Sequence, residues 1–210
     1  MRSKLTIVLI GLAVLAMLAR GLSTCTNGIN IGKSNPDIPA MPSPFPPANV
    51  PDFNADSAFT FVKKQVDFGP RVPNTAAHKK CAAWLVAQFK GYGMNVIEQQ
   101  FTAPHYKGGK FDCVNIIAQY KPEVTRRVLI AAHWDSRFMA DNDTRDTLKP
   151  IDGADDGASG VGVLLEIARL IPTLPPGVGV DLICFDAEDQ GDNDGESETW
   201  RLLRLPYRVI

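Results

Sequence analysis

The chain has 210 residues, 45% hydrophobic and 21% charged, a composition that builds a packed core and argues against a disordered polymer. Lys and Arg number 22 against 23 Asp and Glu, so there is no basic excess to neutralise a phosphate backbone, and nucleic acid is not expected as a partner. Four cysteines in a chain of this length do not make a disulfide framework.

Arg2 and Lys4 precede an apolar run from Leu5 to Ala19. That run is shorter than the roughly 20 residues a bilayer-spanning helix needs. A basic start and a short apolar stretch are the layout of a secretory signal, assigned to residues 1–25. It ends in Leu22-Ser23-Thr24-Cys25, which resembles a bacterial lipoprotein cleavage site and makes Cys25 the candidate lipidation residue. Thr24 departs from the usual Gly, Ala or Ser, and Arg20 lies unusually close. Residues 26–52 hold Pro36, Pro39, Pro42, Pro44, Pro46, Pro47 and Pro51. Fixed φ angles and missing N–H donors keep such a stretch out of helix and sheet, so it reads as a tether.

The globular part, 53–200, alternates helices and strands. Asn54 or Asp56 caps a helix on which Phe59, Val62 and Val66 share a face, ending near Phe68-Gly69-Pro70. Thr75 to Tyr92 is a second helix, with Ala77, Cys81, Trp84, Leu85 and Phe89 on its inner side. Met94–Phe101 and Cys113–Tyr120 read as strands joined by a loop carrying Gly108-Gly109. The apolar run Val128 to Ala132 predicts a strand buried on both faces. Ser159 to Ile171 is a helix burying Leu164, Leu165, Ile167, Ala168 and Ile171, and Val178 to Phe185 is another apolar strand. The order implies an α/β, three-layer sandwich with a mixed, centrally parallel sheet.

Three polar clusters follow these elements: His133-Trp134-Asp135-Ser136-Arg137, Asp152 to Gly160, and Phe185-Asp186-Ala187-Glu188-Asp189. Ligands of open α/β sheets bind beyond the carboxyl ends of strands, where these clusters fall. Singly, His133 reads as a structural histidine, Asp155 and Asp156 as helix caps, and Glu188-Asp189 as a solvated turn. Together they crowd carboxylates that repel one another unless a cation is present, and His with Asp/Glu is a ligand set for zinc. One carboxylate of Glu188-Asp189 can bind metal while its neighbour stays free as a base. Other chemistries fit worse. Gly157-Ala158-Ser159-Gly160-Val161 misplaces the glycine of a serine-hydrolase elbow, and the Gly-rich segment lacks the Lys of a phosphate loop. A calcium loop around Asp192 fails at Gln190 and Arg201.

The three clusters resemble the zinc aminopeptidase family that includes the glutaminyl cyclases, and are most similar to the bacterial cyclases. Phe68-Gly69-Pro70-Arg71-Val72-Pro73-Asn74 and Trp134 followed by Ala140-Asp141-Asn142-Asp143 add to that resemblance, which spans Asn54 to Trp200. It implies Asp156 and Asp189 as ligands of one zinc ion, Glu188 as the catalytic acid/base and Trp200 as an aromatic wall of the substrate pocket. It places His133, Asp135 and Asp155 in supporting roles. His133 matches a zinc ligand in the two-zinc aminopeptidases, but the equivalent His of single-zinc cyclases is not a ligand. The implied reaction converts an N-terminal Gln to pyroglutamate and releases ammonia. The implied partners are peptides or proteins that begin with Gln, bound by an exported monomer of the bacterial envelope. A zinc aminopeptidase and a non-catalytic peptide-binding lipoprotein are the alternatives.

The family pattern continues beyond Trp200 to a His that completes the zinc site, whereas the only histidines here are His78, His105 and His133. The basic, apolar segment 201–210 resembles nothing in the family. Both facts lead to the expectation of a truncated domain with its C-terminal part missing. Such a chain is expected to be inactive and poorly folded, with Val178 to Phe185 along an unpaired edge. A genuine, divergent short protein is the alternative.

Overall fold

The computed structural model describes residues 51–105, 107–173 and 177–191. The signal segment with Cys25, the tether as far as Val50, and Trp200 with the 201–210 tail lie outside the described residues. The chain divides into two compact units, Met1–Ala48 and Asn49–Ile210, and every described residue belongs to the second.

Helix α1 spans Ala55–Asp67, capped by Asn54, whose Oδ1 accepts from the Ser57 N–H at 2.9 Å. Its inner face departs from the expected one at Phe59, while Val62 and Val66 are half-buried. Phe59 is 71% exposed, while Ala58 and Gln65 are buried. Gln65 holds that position because its Nε2 donates to the Phe61 and Ala158 carbonyls, each at 3.1 Å, while its Oε1 is buried with no partner among the described residues. Helix α2, Ala76–Gly91, is capped by Thr75 and buries Cys81, Leu85 and Phe89 as expected, with His78, Ala82 and Val86 beside them.

Strand β1, Asn95–Pro104, pairs antiparallel with β2, Lys110–Tyr120. Their loop turns through Gly108 and Gly109, both in the left-handed region at φ 95° and 90°. Strand β3 spans Arg127–His133, helix α3 Gly160–Leu170 and strand β4 Gly179–Phe185. The described sheet has the order β1-β2-β4-β3. Parallel pairing is confined to β3 and β4; the inner strands β2 and β4 are antiparallel.

Two expectations about strands are overturned. The run ending β3 is not buried on both faces, for Val128 and Leu129 are each 49% exposed. Strand β3 is an edge of the described sheet, and an apolar run carries no mark of which strand will lie at an edge. Conversely β4 is no open edge: it is hydrogen-bonded to β2 on one side and β3 on the other, and nearly all of it is buried.

The main core lies on one face of the sheet. Val114, Ile116, Ala118, Leu182 and Cys184 alternate inward there and meet Leu85 and Phe89 of α2 and Val161, Leu164 and Leu165 of α3. Helix α1 adds Phe61 to the same side. Helices α1 and α3 cross closely at Gly162, where a Cβ would stand 2.8 Å from the Ala58 carbonyl oxygen.

Candidate active site

Parallel pairing brings the site together. The register that joins β3 to β4 sets His133 beside Phe185, so the segments leaving both strands emerge at one end of the sheet. The Trp134 N–H donates to the Phe185 carbonyl at 2.9 Å and carries the pairing one residue further.

Asp135, fully buried, is the keystone of this end. Its Oδ1 accepts the Glu188 N–H at 3.2 Å. Its Oδ2 accepts the Asp189 N–H at 3.2 Å and the Gln190 amide at 2.9 Å. One carboxylate from β3 thus holds the 3₁₀ turn Glu188–Gln190 that follows β4. The turn is entered through Ala187 at φ +60°, a conformation disfavoured for a residue with a Cβ.

The acidic loop is shaped by glycine and by one arginine. Gly153 at φ +59° opens the irregular turn Ala154–Ser159. The fully buried Arg71 secures it from behind. Arg71 Nε donates to the Trp134 carbonyl at 3.0 Å, Nη1 to that of Asp152 at 2.8 Å and Nη2 to that of Gly153 at 2.6 Å. Its own N–H donates to Ser136 Oγ at 2.8 Å. Asp156 leaves helical geometry at φ −80°, ψ 109° and is carried outward to His133.

His133 Nε2 donates to Asp156 Oδ1 at 2.9 Å. Its Nδ1 faces Asp135 Oδ1 at 3.4 Å, too long for a hydrogen bond, and Glu188 Oε2 at 4.0 Å. Burial works against the charged ring, but contact with Asp135 and the charges of Asp135, Glu188 and Asp156 outweigh it and hold the imidazole up at about 9. Burial raises the Glu188 carboxyl above its usual range, with Asp135 and Asp156 adding to it. Burial, then the charges of Asp156 and Asp135, push Asp189 to about 7, although the Arg137 guanidinium lies 3.9 Å from its Oδ1.

Asp156, Asp189, Glu188, His133 and Asp135 therefore share one crevice. Asp155 is exposed, and its carbonyl accepts from the Ser159 hydroxyl. A cleft of about 370 Å³ opens beside Asp156, lined by Arg137, Met139, Asp141 and Ile151 among others.

Four side chains that build this geometry had no role in the sequence reading: Arg71, His78, Asp186 and Gln190. Arg71 stood in a quoted motif and Asp186 in a quoted cluster. The signal that could have found them is a charged or imidazole side chain on an otherwise apolar face, as with His78 among Cys81, Ala82 and Leu85.

Zinc can be tested against these donors. Asp189 Oδ2 is buried with no hydrogen-bond partner among the described residues. It belongs to a carboxyl that neighbouring acids make costly to ionise, a cost that a bound cation relieves. Asp156 and Asp189 are the donor type zinc accepts. Among the described residues no group of three His, Cys, Asp or Glu side chains stands close enough to hold an ion. The two carboxylates fit zinc as part of a donor set.

Comparison with known proteins agrees with this picture. The family described as Peptidase family M28 matches residues 115–197. The chain is similar to a glutaminyl cyclase from Tannerella forsythia, with 52% identity and a TM-score of 0.66 over 68% of this chain and 50% of that one. It is equally similar to a Zn-dependent exopeptidase from Parabacteroides distasonis, at 52% identity and a TM-score of 0.67 over 70% and 51%. Among curated proteins, YfbL of Escherichia coli is 43% identical over 135 residues, 62% of this chain and 39% of that protein. The chain thus spans about half the length of these solved relatives and less of the curated one.

Proposed function

We propose, from the premise that residues 115–197 are part of a Peptidase family M28 domain, that the protein is a glutaminyl-peptide cyclotransferase. Its substrates are peptides or proteins that begin with Gln, and its products are the pyroglutamyl chain and ammonia. The observation that carries the reading is the commitment of His133. Its Nε2 is spent on Asp156 and its Nδ1 looks back at Asp135 and Glu188. We read His133 in that place as a residue supporting the Asp156 carboxylate rather than as a ligand. The ion is zinc, held by Asp156 and Asp189 with donors beyond the described residues.

When bound, zinc supplies a Lewis acid that polarises the side-chain carbonyl of the N-terminal Gln. The α-amine nitrogen of that Gln forms a bond to its own Cδ, and the bond from Cδ to the amide nitrogen breaks. Glu188 takes one proton from the attacking amine and returns it to the departing nitrogen, which leaves as ammonia. A carboxyl raised by burial accepts a proton more readily than a free one, which suits it to take the proton from the amine and pass it on. Asp135 fixes the Glu188 backbone, and the cleft beside Asp156 offers room for the chain that follows the N-terminal Gln.

The second reading, a zinc aminopeptidase, is favoured by the name of the similar exopeptidase. Ammonia release from a Gln-initiated peptide, set against amino-acid release from a Leu-initiated one, separates the two, together with zinc per chain by elemental analysis. From a chain that spans the whole length of the solved relatives, ammonia release with one zinc is expected. Leucine release with two tightly held zincs would replace the cyclase by the peptidase. The cellular place that goes with this reading is the bacterial envelope, reached by export, with a monomer held at the membrane through Cys25.

A further inference from the structure

We infer that His78 is a positioning residue for Glu188, acting through the two groups it touches, Asp186 and Trp134. The inference rests on the cyclase reading for its catalytic consequence but not for its geometry. His78 is 3% exposed and lies on α2, away from the crevice. Its Nε2 donates to Asp186 Oδ2 at 2.8 Å. Its ring stacks on the indole of Trp134, with centroids 4.3 Å apart and planes 23° from parallel. Asp186 and Trp134 are both fully buried.

Each contact is one step from a support of the Glu188 backbone. Asp186 stands two residues before Glu188. Its Oδ2 also accepts the Val114 N–H at 2.7 Å, its Oδ1 accepts the Ala187 N–H at 2.8 Å, and its own N–H donates to Asn115 Oδ1 at 2.9 Å. These bonds hold Ala187 in the left-handed conformation that turns the chain into Glu188. Trp134 directly precedes Asp135, which accepts the Glu188 and Asp189 N–H groups from the other side. Trp134 is itself pinned by Nε1 donating to the Val114 carbonyl at 3.2 Å. The turn is therefore gripped by two buried carboxylates, and the imidazole of His78 ties one to the segment that carries the other.

A buried polar pair is by itself weak evidence for stability, since apolar substitutes often serve as well. What this pair supplies is a fixed place for a turn that is otherwise strained.

The test compares His78→Leu, His78→Gln and His78→Asn, with kcat read in a chain that spans the whole length of the solved relatives and hydrogen exchange read in both that chain and this one. A Gln amide reaches the place of Nε2 and can still donate to Asp186; an Asn amide falls short of it. His78→Leu and His78→Asn are expected to lower kcat for ammonia release on the order of 10- to 100-fold, the scale of a displaced catalytic group, with KM within about twofold. His78→Gln is expected to stay within about threefold of the parent, because it restores the hydrogen bond. Amide hydrogen exchange should quicken at Ala187, Glu188 and Asp189 in His78→Leu and His78→Asn, and stay unchanged at Leu182 and Cys184. Equal kcat and equal exchange in the Gln and Asn variants would overturn the inference, even if His78→Leu fails to fold. If a parent that spans the whole length of the solved relatives releases no ammonia, the cyclase reading fails, and the exchange pattern alone decides whether His78 fixes the turn.

Discussion

A Cβ on Gly157 would lie 2.6 Å from the Asp135 carbonyl oxygen and 3.2 Å from His133 Cε1, at a φ of +94°. Nothing there can yield cheaply, because one neighbour is backbone and the other is the ring that meets Asp156. Gly157→Ala is expected to destabilise the fold by roughly 1–3 kcal/mol and to abolish zinc binding, read by thermal melting and by metal titration. At Glu188, replacement by Gln keeps the shape and removes the proton acceptor. Glu188→Gln should retain zinc and melting temperature but lose turnover by about 100-fold or more. Comparable rates for variant and parent on a Gln-initiated peptide would remove Glu188 from the mechanism. His133 predicts a pH dependence of the metal-free chain. Its imidazole is held at about 9, above the ordinary value of 6.5. The folded state then binds the proton more tightly than the unfolded one. The stabilisation is complete below about pH 6.5 and is lost as pH rises through 9, with an upper bound of roughly 3 kcal/mol. Asp189 adds to the same trend at lower pH: raised to about 7, it weakens the fold as it ionises between about pH 4 and 7. Melting in chelator across pH 5 to 10 should fall, and His133→Gln should flatten the upper part of that fall.

At the scale of elements, β3 and β4 look alike as sequence and behave differently as structure. Both are short apolar runs, but among the described residues β4 is paired on both sides and β3 on one. Leu182→Ala in β4 should therefore cost roughly 2–5 kcal/mol in denaturant unfolding. Leu129→Lys in β3, at a side chain 49% exposed, should cost less than about 1 kcal/mol and reduce edge-to-edge association. A large loss from Leu129→Lys would mean that β3 is covered in solution. The same contrast explains what was legible beforehand. Caps and helix limits came through because Asn54 and Thr75 act locally, and the Gly108-Gly109 turn was placed, but the strands beside it run on to Pro104 and start at Lys110, three residues beyond the expected limits. The crevice came through because its three clusters follow strand or helix termini. Strand order and the burial of Gln65 on α1 did not, since they depend on partners far along the chain: Gln65 is buried for the sake of Ala158, and Arg71 for carbonyls at 134, 152 and 153. Long-range polar pairing leaves no periodic trace.

For the whole molecule, the reading of an exported, lipid-held enzyme has its own test. With residues 1–25 intact in a bacterial host, the protein is expected to fractionate with membranes, and Cys25→Ser to release it or block its processing. Unchanged membrane association of the variant would reject lipidation and leave export standing. The acidic loop carries a different consequence. Arg71 and Gln65 grip it by three backbone carbonyls, those of Asp152, Gly153 and Ala158, not through the carboxylates that face the crevice. Its shape is stored in the scaffold, so removing a divalent ion need not melt it. Ion exchange then becomes a dialysis step: zinc could be drawn out and cobalt let in, and the colour of the cobalt form would report on the crevice while the chain stays folded.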